Sequence, residues 1–459
     1  AYTPPNQPPT APTNPTPTLG ATTIEPDSLT LTWTCSDPDG DSLTYTVYII
    51  ANDSEESTYQ TATNSVNISL AYDTSYAWHV TASDGEAATM SDTWTFRTCK
   101  NVSREADDKG YRTNWTIIVY LDGDNNLDSY AQKELNEMAS AGINGSVSVV
   151  ILQDGREDGD SHCYTIVNGS FSETSLGEIC PTWDGEVNMG SGETLEMFTD
   201  YALTRYPAEH YMLELWNHGY GWRGICKDET NNDRLTLQEI RSSLAAVSTG
   251  HQEKIDVLVY TACKMGGIET AHGLEEYVDY FVASQESMSA TGLPHTEILE
   301  AAGSISSGGA MVQYIVDAVS VLYQDSQTAT IAGWDLSHMT NLSISLDAFA
   351  RILSNPDHIS SSVISNAYEQ AESFGGVGCI DLYDFAQLIE QLSGDVAIDD
   401  AARYVIDNIT RLTCAEWHGS QHPDAHGVSI YFPSYYLSQY EDTSFAMNTF
   451  WDEFLQAYT

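Results

Sequence analysis

The stretch "DVLVYTACKMGGIE", residues 256 to 269, decides how the chain is read. A run of apolar residues ends in Thr261-Ala262-Cys263, and Gly266-Gly267 then turn the chain. Near-continuous apolar strands belong to parallel sheets covered on both faces. A cysteine just past such a strand is core filler, half a disulfide, a metal ligand or a nucleophile. The surroundings of residue 263 discriminate among these.

Upstream, the same alternation of strand and helix begins at residue 113. "NWTIIVYLDG" reads as a buried strand, and "DSYAQKELNEMASAG" as a helix with Asp128 as N-cap and Gly142 as its stop. "VSVVILQDG" and "HYMLELWNHG" are further strands, and "ETLEMFTDYALTRYP" and "TLQEIRSSLAAVS" further helices. "GIETAHGLEEY" reads as a helix after Cys263, then "YFVASQ" as a strand. This is an α/β pattern with a mostly parallel sheet flanked by helices. Beyond 335 the pattern is less regular, with "GVSIYFP" another strand. The expected domain is 113 to 459, with 335 to 459 its C-terminal portion.

Ahead of it, residues 21 to 100 alternate apolar and polar in short runs such as "LTYTVYII" and "TSYAWHVTAS", separated by turns such as "DPDGD". That predicts an all-β immunoglobulin- or fibronectin-like sandwich. "SDPDGDSLTYTV" resembles fibronectin type III modules, a likeness of fold that carries no chemistry. In its acidic turn, Asp37, Asp39 and Asp41 suit either calcium or plain solvation. Residues 1 to 20, rich in Pro and Thr, read as an extended spacer, and 101 to 112 as a linker.

The 459 residues carry 66 acidic and 17 basic side chains, a formal net charge of -49. Such a surface repels nucleic acid and anionic membranes. It favours solubility, and it leaves few cut sites for a trypsin-like enzyme. No apolar run approaches the ~20 residues of a membrane span. Eight Asn-x-Ser/Thr sequons fit a secreted or cell-surface protein in which disulfides are allowed. Of the eight cysteines, sequence proximity pairs 163 with 180 and 379 with 414, and the ends of the sandwich pair 35 with 99. Cys226 is then spare, or caps Cys263 under oxidising conditions.

Ligands of open α/β sheets sit beyond the carboxyl ends of the strands. Two strands end on reactive side chains, His218 and Cys263. With one helix between them, both strand ends can share an edge. Cys263 would attack a peptide carbonyl, and His218 would activate the thiol and protonate the leaving amine. The dipole of the helix expected after Cys263 would favour the thiolate. The N–H groups of Gly219 and Cys263 would form an oxyanion hole. A thioester intermediate also passes to amines, so transpeptidation is a second outcome.

"YLDGDNNLD" places Asp122, Asp124, Asn126 and Asp128 at alternate positions of a calcium loop. Leu127 stands where the EF-hand requires Gly, and Lys133 where it requires Glu. The loop is therefore no EF-hand. A calcium or rim role for Asp122 and Asp124 and capping of the next helix remain alternatives.

"WTIIVYLDGDNNLD", "LWNHGYGW", "YTACKMGGIE", "FVASQE", "IDLYDFA" and "GVSIYFP" together resemble the clostripain-type cysteine peptidases, relatives of caspases, legumains and gingipains. The resemblance implies a caspase-like fold, a His218–Cys263 dyad, endopeptidase activity on protein or peptide substrates, internal cleavage and, often, calcium dependence. It also implies an acid two places before the nucleophile to bind Arg or Lys at P1. Here that place holds Thr261, and Glu286 is the candidate replacement. Arg223, Lys227 and Arg234, in the polar stretch 223 to 234, are candidate cut points. The competing expectation is an inactive surface-binding protein that keeps the peptidase fold.

Overall fold

The computed structural model describes residues 6–19, 21–24, 29–51, 57–68, 70, 74–98, 112–375, 378–432 and 437–458. The chain divides into two compact units, Ala1–Gly110 and Tyr111–Thr459.

The first unit is all β. One sheet joins Thr13–Thr16, Leu29–Thr34 and Ser65–Ile68. The other joins Ala21–Ile24, Trp94–Thr98, Ser75–Ser83, Thr44–Ala51 and Ser57–Thr61, with Ala88–Met90 paired to Ser75–Ser83. Alternate residues of Thr44–Ala51 and Ser75–Ser83 are buried, as the period of two requires. Trp33, Val47, Trp78 and Val80 fill the core. Part of the expected spacer over 1 to 20 is a strand of this unit: Thr13 and Thr16 pair with Thr34 and Thr32, and Thr10 N–H donates to Ser36 O at 2.9 Å. Threonine is a good strand residue, and this proline-rich edge hydrogen-bonds on one side only. Residues 101 to 111 of the expected linker over 101 to 112, and Cys99 with its proposed partner role, lie outside the described residues.

The second unit is built on a nine-stranded sheet. Its strands are β1 (Thr113–Asp122), β2 (Val147–Asp154), β3 (His162–Val167), β4 (Ser170–Thr174), β5 (Ala208–Trp216), β6 (Ile255–Thr261), β7 (Val278–Ala283), β8 (Thr330–Asp335) and β9 (Thr413–His418). They lie in the order β4-β3-β2-β1-β5-β6-β7-β8-β9. The five central strands are parallel, and the outer two on each side are antiparallel. The sheet thus keeps the expected parallel centre flanked by helices and is mixed at its edges. Hairpins and helix returns need no crossover, so they extend a parallel centre at its edges.

Residues of β1 alternate between the faces. Ile117, Val119 and Leu121 pack under α1 (Asp128–Ser140), α2 (His295–Ala302) and α3 (Gly308–Leu322). Ile118 and Tyr120 pack into the larger core on the other face, with helices Gly192–Arg205, Leu237–His251 and Met339–Leu353. Burying one such apolar side chain is worth roughly 1.5–3 kcal/mol. The helix caps are local: Thr236 and Glu239 form a capping box at the start of Leu237–His251. At α1 the N-cap is Leu127, not Asp128, which occupies the first turn. The strand Ser429–Tyr431 belongs to a separate three-stranded sheet with Ser373–Phe374 and Cys379–Asp381.

The seven described cysteines are all free. Cys163 lies buried on β3, while Cys180 ends a short helix with its sulfur 3.0 Å from Thr182 Oγ1. Cys379 sits in the small sheet, and Cys414 begins β9 of the main sheet. Nearness in sequence does not bring either expected pair together. Cys226 is fully buried, so the proposed 226–263 bridge is not made either.

Candidate active site

The parallel register places Trp216 beside Thr261. His218 and Cys263 each follow two residues later, so both emerge at one edge of the sheet. The turn after β5 is held by Asn217, whose Nδ2 donates to Asp122 O at 2.6 Å while its Oδ1 accepts the N–H groups of His218 and Lys227. Gly219 then lies directly on the Cys263 loop: a Cβ at Gly219 would overlap the Cys263 carbonyl oxygen. Only glycine allows that approach.

Cys263 is half-buried. Its sulfur accepts the Met288 N–H at 3.3 Å and, as a thiol, donates to Met288 O at 3.6 Å. The expected helix after it is a single turn, Ile268–Ala271, cut off before Gly273 at φ 80°. Its short dipole begins five residues beyond the sulfur, and the backbone of Met288 is what meets the sulfur instead. His218 directs Nε2 to Asn126 Oδ1 at 2.9 Å. Burial, and then the charge of Lys227, hold its imidazole below the ordinary value, with Glu229 opposing. No hydrogen bond joins imidazole to sulfur among the described residues. Catalytic hydrogen bonds are often long before substrate binds. The Gly219 and Cys263 amides find no backbone acceptor among the described residues.

Thr261 does not face solvent. It is buried and donates its hydroxyl to Glu214 Oε1 at 2.5 Å. Glu214 also meets His295 Nε2 at 2.9 Å, and His295 Nδ1 meets Glu134 at 2.7 Å. Burial opposes charge on His295, but Glu214 and Glu134 outweigh it and hold the imidazole well above its ordinary value. Glu286 is neither exposed nor free. Its carboxylate accepts the N–H groups of Gly375 at 2.7 Å and Ser287 at 2.6 Å. Burial pushes it up, but these donors and Lys264 prevail and keep it below the usual range.

The polar stretch 223 to 234 that holds the candidate cut points includes a hairpin of Ile225–Asp228 and Asp233–Leu235 with Ile225, Cys226 and Asp228 buried. Lys227 Nζ pairs with Glu229 at 2.9 Å, and the Arg234 guanidinium sits 4.7 Å over the Tyr220 ring. Arg223 and Arg234 line a cavity of about 500 Å³ together with Trp222, Arg241, Glu269 and Phe445.

Asp122 and Asp124 are buried at the end of β1, among Asp154 and Asp228. Burial first, then mutual repulsion, raises Asp122 well above the usual range, Asp154 to about 9 and Asp228 to about 6. Asn126 stands out in the sequence only as a position of the calcium-like loop, and His295, Glu214, Asp154 and Asp228 carry no distinct signal of a role at the site. Only Asp154 had one available: it ends β2 as Asp122 ends β1, in matched register.

Cys263 and His218 thus follow adjacent parallel strands at one edge of a mixed α/β sheet. The chain belongs to the clostripain family, whose model matches residues 119–458. It is 29% identical over 189 residues to clostripain of Hathewaya histolytica, a match covering 34% of this chain and 35% of that protein. The alignment thus spans about a third of that relative. The fold resembles an inactive zymogen C11 protease from Parabacteroides distasonis (TM-score 0.58, 18% identity, 74% of this chain and 99% of that one). It also resembles a secreted C11 cysteine protease from Bacteroides thetaiotaomicron in complex with an irreversible peptide inhibitor (TM-score 0.56, 18% identity, 75% and 99%).

Proposed function

We propose that this chain is a cysteine endopeptidase working through Cys263 and His218. The Cys263 thiol gives its proton to His218 as the sulfur attacks the scissile carbonyl carbon, and the carbonyl oxygen becomes an oxyanion between the Gly219 and Cys263 N–H groups. His218 passes its proton to the leaving amine as the C–N bond breaks. Water, deprotonated by the same imidazole, then cleaves the thioester, freeing the acid and the Cys263 sulfur, to which the imidazolium returns the proton. The observation that carries this reading is the seat of Gly219 on the Cys263 carbonyl, which joins the histidine turn to the nucleophile loop.

Neither Thr261 nor Glu286 offers an uncommitted carboxylate to a basic P1 side chain. The reading therefore assigns no strict Arg or Lys requirement. An acidic, sequon-rich surface supports an extracellular or cell-surface setting with peptide substrates. Cleavage of a diverse peptide mixture, with product masses, tests the assignment. Hydrolysis lost on Cys263→Ala with the fold kept supports it. Unchanged hydrolysis, or no hydrolysis by the parent under reducing conditions, refutes it and favours a binding protein with a dormant fold.

A further inference from the structure

The cavity lined by Arg223, Arg234 and Arg241 takes no part in the chemistry above. Its volume of about 500 Å³ is that of a small-ligand pocket. The chain has only 17 basic residues among 459, yet three arginines border this one space. Arg223 follows the histidine turn, Arg234 belongs to the hairpin, and Arg241 lies on the helix Leu237–His251.

Neither Arg234 nor Arg241 pairs with a carboxylate among the described residues. Arg234 sits over the Tyr220 ring, and its Nε is buried with no hydrogen-bond partner. Arg241 donates from Nη1 to Ser444 Oγ at 2.8 Å. Gly273, at φ 80°, lies against that guanidinium, where a Cβ would stand 3.0 Å from Arg241 Cζ. Elsewhere the same side chain finds acids readily: Arg351 pairs with Asp347 and Arg403 with Glu390, both at 2.8 Å. A buried donor left without an acceptor costs about 1–3 kcal/mol. A guanidinium carries five N–H donors in a fork that fits a carboxylate, so an acceptor entering the cavity removes that cost.

The rest of the lining defines the ligand. Glu269 and Asp442 also border the cavity. Glu269 is committed, accepting the Tyr431 N–H at 2.8 Å and the Tyr440 hydroxyl at 2.9 Å. Burial first, with Arg241 adding to it and Glu275 opposing, holds the lining residue His272 below its ordinary value, so its imidazole adds no charge at neutral pH. Three guanidiniums against two carboxylates suit a monoanion better than a dianion. Trp222, Leu237, Leu274 and Phe445 supply apolar walls. Trp222 is itself held edge-on by Tyr431 and Tyr440, with ring centres 5.2 and 5.5 Å away.

We propose that this cavity binds an organic monoanion, its carboxylate held by Arg234 and Arg241 and its apolar body against Trp222 and Phe445. A free organic acid and the C-terminal residue of a peptide share that chemistry. The Tyr220 ring under Arg234 lies 6.5 Å from the His218 ring, which sets the ligand beside the histidine turn. The binding does not depend on the peptidase reading.

The test uses the full chain with Cys263→Ala, so that no probe is cut. Calorimetry compares 3-phenylpropionate, its neutral amide, inorganic phosphate and acetyl-Ala-Ala-Phe with a free carboxyl end. One of the two organic acids should saturate one site per chain with Kd near or below about 1 mM. The amide should bind at least about tenfold more weakly, because it loses a charge-assisted hydrogen bond. Arg234→Gln and Arg241→Gln should each weaken the acid by a similar factor, and melting curves check that both variants stay folded. A tighter fit for the peptide than for phenylpropionate makes the ligand a peptide end, and the reverse makes it a free acid; both support the site. Saturation by neither acid overturns the proposal, as does equal affinity for acid and amide, and neither result needs a variant. Tighter binding of phosphate overturns the monoanion assignment. Unchanged affinity in both folded variants places the acid elsewhere and overturns the site.

Discussion

Gly219 packs against the backbone carbonyl of Cys263 so closely that the site has no room for a β-carbon. Met265 and Ala262 close the remaining sides, so the added atom cannot be accommodated by a side-chain shift alone. Gly219→Ala should push the histidine turn off the nucleophile loop. We expect kcat/KM to fall at least about 100-fold, since displacements near 1 Å cost that much. The drop in Tm should be small beside the drop in activity, which steady-state kinetics and calorimetry on one preparation would show.

Thiol chemistry gives a second check. Burial raises Cys163 to about 12 and, with Asp335, Cys414 to about 11, and it drives Cys226 and Cys379 up as well. Cys263 instead meets a backbone donor. Limited iodoacetamide should modify Cys263 before any of those four, as peptide mapping would reveal. Labelling at comparable rates would contradict a selectively reactive thiol at 263.

The pair Glu214–His295 supplies the pH prediction. His295 is protonated and buried between two carboxylates, with its folded pKa above the unfolded value. Its contribution is complete below the unfolded pKa of about 6.5 and is lost as pH rises through the folded one. The parent should lose Tm on the alkaline side, whereas His295→Gln should be flatter there. At neutral pH that variant should be less stable by about 3–5 kcal/mol, because two buried carboxylates lose their cation.

Thr261→Asp restores the residue type common in the family at this place. Here the neighbour is Glu214, fully buried and already bound by the threonine hydroxyl. A second carboxylate there lacks a donor and meets a like charge. Expected outcomes are a lower Tm and no gain in cleavage after Arg or Lys, measured by melting and peptide profiling.

Much of this was readable in the chain because parallel central strands are buried on both faces and write themselves as apolar runs. "VLVYTAC" and "LELWNHG" therefore placed His218 and Cys263 on one edge. The antiparallel strands β3 and β4 were harder to read, because "HCYTIV" and "SFSET" are partly exposed and lack that continuity. The helix after Cys263 was overread, since apolar spacing continues through a segment that Gly273 interrupts. The ion network could not be seen at all: Glu134, Glu214 and His295 are scattered in sequence and meet only when α1, β5 and α2 pack. Burial of Thr261 likewise follows from tertiary contacts, so its meaning changes from a missing acid to a hydroxyl serving another one.

The hairpin carrying Arg223, Lys227 and Arg234 joins two adjacent central strands, β5 and β6. A single break in its backbone would leave each half as a set of inner strands locked to the other by an unbroken ladder and a common interior. Such a nicked molecule would run as two bands after denaturation yet elute as one particle. It would need no covalent link between the halves, in keeping with seven free thiols.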